Sequence, residues 1–353
     1  MLNLFSKFEY LLWKIINNKS KKCATIYDID QLDPQNDILF TFGFTGHQSN
    51  LSTYKGVILV HLSHYHLNTK EIAAFYKTLH NGFLVAEGEV SQNEYFRNFF
   101  AGAENRTYIL PFTYYPGRFK VTKKMNERIK MCFASGPMSV PNDASYSSFY
   151  GKNVALNPMR ELMFVHKDKI SDGVAVYIYP HNYALSGMRE IISTDSSFKC
   201  FSKKHLPIWF LTTILKIKLP YYSFDIVSKY NEYAMFSSPE ERTGLPSMKL
   251  LEGILCGAVL VGINDPMYTK IGFRDGINFI AYEKENLDDL IKKIHFYQNH
   301  PLLLEEISQN GLSLVQSSFT PDKVFEIFWR DLENLLISIE KGQTIFTSSF
   351  STK

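Results

Sequence analysis

The chain has 353 residues, of which 45% are hydrophobic, 21% charged and 15% aromatic, and its formal net charge is +3. These are the proportions of a folded chain rather than a disordered one, and a small net charge without a long Arg/Lys run excludes nucleic acid as the principal ligand. The length exceeds one ordinary core and predicts two domains of about 150 residues each.

Residues 1–22 carry Lys7, Lys14, Lys19, Lys21 and Lys22 against Glu9, interleaved with Leu4, Phe5, Phe8, Leu11, Leu12, Trp13, Ile15 and Ile16. This is the pattern of a basic amphipathic helix, which either lies on an anionic membrane surface or packs on the first domain. The segment lacks a small-residue cleavage site, and no apolar run is long enough to span a bilayer. Cys23, Cys132, Cys200 and Cys256 have no C-x-x-C spacing. They read as buried thiols of a cytoplasmic protein, peripheral at the inner membrane face if residues 1–22 bind there, and not as disulfide partners or zinc ligands.

Strands are expected over 37–42, opening into a loop with Gly43, Gly46 and His47, and over 56–62, opening into Ser63-His64-Tyr65-His66. A helix over 69–79 with Asn68 as cap follows, then strands over 83–87 and 108–112. Strand, loop and helix in repetition predict a doubly wound sheet, whose ligands sit beyond the carboxyl ends of the strands. A polar stretch over 120–128 separates this pattern from a new strand over 129–134 that opens at Ser135-Gly136, and the domain boundary is placed there.

In the second half, strands are expected over 174–179, 234–236, 258–261 and 279–282. Helices are expected near 207–215 and 224–230, over 287–299, over 301–310 closed by Gly311, and over 322–339. Between the second and third of these strands, Leu250, Leu251, Ile254 and Leu255 form one helical stripe while Lys249, Glu252 and Gly253 fall away from it, and Gly257 stops the helix in a left-handed turn.

Pro246, Lys249, Leu250-Leu251, Glu252 and Cys256-Gly257, followed by the apolar run 258–261, resemble the donor-site segment of GT-B glycosyltransferases of the retaining group 1, family 4-like kind. The resemblance implies an α/β GT-B fold in which two Rossmann-like domains face an interdomain cleft. Residues 1–125 would form the acceptor-binding domain, with a C-terminal helix over 330–353 packing back on it, and 126–329 the nucleotide-sugar domain. It assigns Glu252 to the ribose hydroxyls. The family has a further acid where this chain has Gly244; the nearest acids are Glu240 and Glu241.

For the departing diphosphate, Gly136, Ser247 at the helix start, and the cations Lys249 and Arg160 are the first candidates, followed by Lys152 and by Arg242 in the donor loop. His64 lies just beyond a strand and is placed to take a proton from the acceptor, with Glu87 and Glu89 as competing bases. His47, Gly46 and His66 line the acceptor side. No acid or cysteine accompanies the histidines in sequence, so no metal site and no cofactor is expected.

The function expected is a hexosyltransferase moving sugar from a nucleotide-sugar donor to a glycan or lipid-linked glycan, with retention, in surface-polysaccharide biosynthesis. The alternatives are a GT-B nucleotide-sugar epimerase and a non-catalytic GT-B binding or scaffold module. Nucleotide base, sugar, acceptor and linkage are not written in the sequence.

Overall fold

The computed structural model describes residues 30, 32–35, 37–42, 51–114, 117–180, 224–341, 348 and 350. The expected helices over 1–22 and 207–215, and Cys23, Cys200, Gly46 and His47, lie outside the described residues.

The first sheet contains β1 (Ile38–Phe42), β2 (Val57–His61), β3 (Gly82–Ala86) and β4 (Thr107–Ile109), all parallel in the order β1-β2-β3-β4. Every residue of β2 and β3 is buried, as expected of parallel strands covered on both faces. Helix α1 (Thr69–Thr78) crosses from β2 to β3. Asn68 occupies its cap position, but the Asn68 side chain makes no capping bond. Helix α2 (Glu94–Phe99) crosses from β3 to β4 and is capped by Asn93, whose Oδ1 accepts from Tyr95 N at 2.9 Å.

The second sheet contains β5 (Ile129–Met138), β6 (Val174–Pro180), β7 (Tyr233–Ser237), β8 (Val259–Ile263) and β9 (Ile280–Tyr282). Its order is β6-β5-β7-β8-β9, again all parallel. The chain moves from β5 to one side and then returns to the other, so the β5/β7 boundary is the topological switch point. Beyond the carboxyl ends of these two strands, a ligand finds an open crevice. The helices of this half are α3 (Ala144–Tyr150), α4 (Pro158–Val165), α5 (Ile226–Glu232), α6 (Lys249–Leu255), α7 (Pro266–Thr269), α8 (Leu287–Gln298), α9 (Pro301–Ser318) and α10 (Pro321–Glu340).

Three glycines show how packing decides what sequence leaves open. Gly257 ends α6 as expected, at φ +78, with its N–H on Ile254 O and that of Ala258 on Gly253 O. Gly311 does not end a helix; α9 runs through it to Ser318. A Cβ at Gly311 would lie 2.8 Å from Asn278 O, so this glycine admits a close backbone approach. Gly253, expected on the open face of α6, is buried against the Phe236 ring of β7.

Helix α10 buries Val324, Ile327, Phe328, Leu332 and Leu335 in one core with Val57, Leu59, Phe83 and Tyr108 of the first sheet and with the strands of the second. Burial, and after it the charge of Asp331, pushes the Tyr108 phenol pKa up, which places α10 against the first sheet. Among the described residues no helix is long and apolar enough to cross a membrane.

Candidate functional site

The crevice at the switch point is built from three elements. Strand β5 carries Ser135-Gly136-Pro137 just before its end at Met138, with Gly136 at φ +129. Helix α4 begins at Asn157-Pro158, a cap position followed by the imino acid that fits a first turn, and this brings Arg160 back over the strand end. Arg160 is 6% exposed, and its Nη1 donates to Pro137 O at 3.0 Å and Asn157 Oδ1 at 2.9 Å. From α6, Lys249 Nζ donates to Ser135 O at 3.2 Å.

Two cations therefore meet over Gly136. A Cβ built there would lie 2.7 Å from Lys249 Nζ and 3.2 Å from Arg160 Cζ, so only glycine leaves the space beside both charges open. Burial, helped by the Arg160 charge and opposed by Glu252, pulls the Lys249 pKa down to about 7. An anion between the two cations removes their repulsion and restores the lysine's charge. One turn along α6, Glu252 is half-buried, its pKa raised by burial against the pull of Lys249 and Arg118.

Helix α6 has seven residues, and its first N–H is taken by Ser247 Oγ at 3.4 Å. Ser247 thus shapes the helix start, and the helix end itself has little left for a phosphate. Arg242 is also spent elsewhere. Its Nη1 meets Glu285 Oε1 at 2.6 Å and its Nε donates to Ala155 O at 3.1 Å, which makes it a brace of the donor loop rather than a free donor-site cation. Lys152 is exposed.

The loop after β7 reaches across to the first domain. Tyr65 OH donates to Thr243 O at 2.6 Å, Asn93 Nδ2 donates to Arg242 O at 2.9 Å, and Gly88 lies against Pro246. Gly244 sits at φ +86, and a Cβ there would be 3.0 Å from Asn93 Nδ2, so this position has no room for an acidic side chain. Its two neighbouring acids take different places. Glu240 is fully buried, accepts from Tyr282 OH at 3.3 Å, and is pushed up to about 7 by burial. Glu241 faces the first domain, with Oε2 3.2 Å from His66 Nδ1.

Residues 219–329 match the family model described as glycosyl transferase-like. Over these residues the second domain is similar to glycosyl transferases. Among solved structures, it is similar to sucrose-phosphate synthase from Thermosynechococcus elongatus, at 11% identity over 85% of this chain and 74% of that one, with a TM-score of 0.52. HepE from Anabaena, solved with UDP and glucose, is 10% identical over 80% of this chain and 72% of its own, with a TM-score of 0.50. At these identities the likeness is one of fold. No curated protein sequence matches the chain.

The residues expected at the donor site, Lys249, Arg160 and Gly136, come together, with Glu252 one helical turn away. The first-domain candidates divide. His64 stands with His66 and Glu241, whereas Glu87 is 3% exposed and faces His61 Nε2 at 3.4 Å. Burial lowers the His61 pKa against the opposing pull of Glu87. Sequence reasoning passed over two features. Asn157-Pro158 is a legible helix start that would have set Arg160 in a first turn. The pairing of Glu241 with His66 has no local signal at all.

Proposed function

We propose that the enzyme moves a hexosyl group from a nucleoside diphosphate sugar to a glycan or lipid-linked glycan, with retention at the anomeric carbon, in surface-polysaccharide assembly. The meeting of Lys249 Nζ and the Arg160 guanidinium over Gly136 carries this reading. A departing diphosphate develops negative charge, and two cations aimed at that charge, the buried Arg160 and the half-buried Lys249, stabilise the transition state more than the ground state. Because they supply the neutralisation, transfer needs no divalent metal. Glu252 holds the ribose hydroxyls.

The acceptor enters from the first domain. His64 at the cleft takes the hydroxyl proton, and contact between the donor loop and the first domain excludes water from the anomeric carbon. Residues 1–22 bring the enzyme to the cytoplasmic face of a membrane, where lipid-linked acceptors are held.

A thermal-shift series over UDP-, GDP-, dTDP- and CMP-sugars tests the donor site, and UDP-sugars come first because HepE was solved with UDP. The matching donor should stabilise the protein by roughly 2.7 kcal/mol at a hundredfold excess over Kd. Glu252→Ala should lose that shift; full retention would refute the ribose contact. Transfer assayed with the matching donor should proceed undiminished in EDTA.

A further inference from the structure

In sequence the histidines after β2 have no acidic partner; the fold supplies one from the other domain. We infer that His64, His66 and Glu241 form a binding site for a divalent transition metal ion of the zinc class, shared by the two domains. One ligand atom from each of the three side chains falls within 4.8 Å of the others, and among the described residues no other group of three or more His, Cys, Asp or Glu does so.

The spacing of the innermost pair is that of metal ligands. His66 is 4% exposed, and its Nδ1 lies 3.2 Å from Glu241 Oε2. In a tetrahedral centre with bonds of about 2.0–2.1 Å, adjacent ligand atoms stand roughly 3.3 Å apart. A nitrogen and a carboxylate oxygen at that separation fit two adjacent ligands of one ion. His64 completes the set. Its backbone is in the left-handed region at φ 53, and its ring stands edge-on to that of His66 with 5.6 Å between centroids.

Outer partners fix the carboxylate, as they do at established metal centres. Thr243 Oγ1 donates to Glu241 Oε2 at 3.2 Å, and the Thr243 backbone is itself held by Tyr65 OH. Two imidazoles and one carboxylate suit zinc, nickel or copper and not magnesium, which prefers oxygen ligands throughout. Three protein ligands leave a fourth position for water. An ion here ties the first domain to the donor loop. A ring nitrogen that binds metal accepts no proton, so an occupied site holds the cleft shut and withdraws His64 from acceptor chemistry. That last consequence rests on the transfer reading; the site does not.

The test uses the full chain, stripped with EDTA and dialysed against micromolar zinc chloride, with bound zinc counted by atomic emission. Wild type should retain one zinc per chain, and magnesium chloride in its place should leave none bound. Cobalt should give the visible absorption of a tetrahedral centre. Glu241→Gln preserves shape and serves as the principal variant, with circular dichroism as the check on folding; it should lose both zinc and the cobalt band. His66→Asn should do the same. A wild type that takes up no zinc overturns the site, and so does a folded Glu241→Gln that keeps its full complement.

Discussion

The Lys249 amine and the Arg160 guanidinium stand over the same backbone carbon, 2.7 Å and 3.2 Å from where a Gly136 Cβ would be. Lys249 donates to the Ser135 carbonyl and Arg160 to the Pro137 carbonyl, so the β5 carbonyls on either side of Gly136 hold the two charges at the space over it. On the proposed function, the ligand for this pair of cations is a dianionic diphosphate.

Gly136→Ala tests the space. At φ +129 a side chain is strained by about 1–3 kcal/mol, and the methyl group must displace the Lys249 amine. The variant should fold with reduced stability and bind the nucleotide at least about tenfold more weakly, a loss of about 1.4 kcal/mol. Calorimetric titration checks this. An unchanged affinity in the folded variant would take the phosphates away from β5.

Lys249 tests the charge. Its pKa is about 7, below the ordinary 10.5, so between these values the unfolded chain holds a proton that the folded one lacks. The stability withheld by this burial is regained as pH rises from about 7 towards 10.5, and lost again as pH falls through about 7. A bound diphosphate raises the pKa again. Binding near pH 8 should therefore take up close to one proton, and affinity should weaken as pH rises from about 7 to 9. Titration in buffers of different ionisation enthalpy reads the uptake directly, and Lys249→Met should abolish it. Buffer-independent heats in wild type would contradict the assignment.

What the sequence made legible follows the range of the interactions. The buried strands β2, β3, β7 and β8 and the stop at Gly257 are local patterns, visible in a window of a few residues. The Lys249 and Glu252 spacing on α6 is local too. Gly311 was misread because a glycine that ends a helix and a glycine that admits a neighbouring carbonyl look alike until Asn278 is placed. Arg242 was misread for a similar reason: a loop arginine is a donor-site cation only if Glu285 and the Ala155 carbonyl are elsewhere. The 3.2 Å approach of His66 Nδ1 to Glu241 Oε2 joins residues far apart in the chain, and only the meeting of the domains creates it.

The brace behind α6 is Arg128, 5% exposed, which donates through Nη2 to Cys256 O at 2.6 Å, through Nη1 to Tyr230 O at 2.9 Å, and through Nε and Nη2 to Lys123 O. It gathers the end of α6, the end of α5 and the interdomain segment on one guanidinium. Arg128→Met would leave four carbonyls without this donor, those of Lys123, Tyr230, Cys256 and, at 3.4 Å, Tyr233, at about 1–3 kcal/mol for each of the two closely held buried ones. Urea unfolding should show a loss of about 2–5 kcal/mol, with Arg128→Lys intermediate because an ammonium cannot span the same acceptors. A loss below about 1 kcal/mol would mean that water takes over these carbonyls.

Gly253 sets two effects against each other. In a helix interior, Gly→Ala gains about 0.8–1.0 kcal/mol from backbone propensity. A Cβ at Gly253, however, would lie 2.5 Å from the Phe236 ring, an overlap that costs about 1–3 kcal/mol when the core must shift. Overlap should win, and Gly253→Ala should lower stability by up to about 2 kcal/mol. The strain is relieved by moving α6 off β7, and α6 carries Lys249 and Glu252, so nucleotide affinity should fall with stability. Phe236→Leu in the same chain opens the space. The double variant should bind nucleotide more tightly than Gly253→Ala alone, a coupling that residues without contact would not show. If Gly253→Ala instead raises stability, the helix stands further from the strand than the ring contact requires, and the donor site is held by Arg128 and the loop contacts alone.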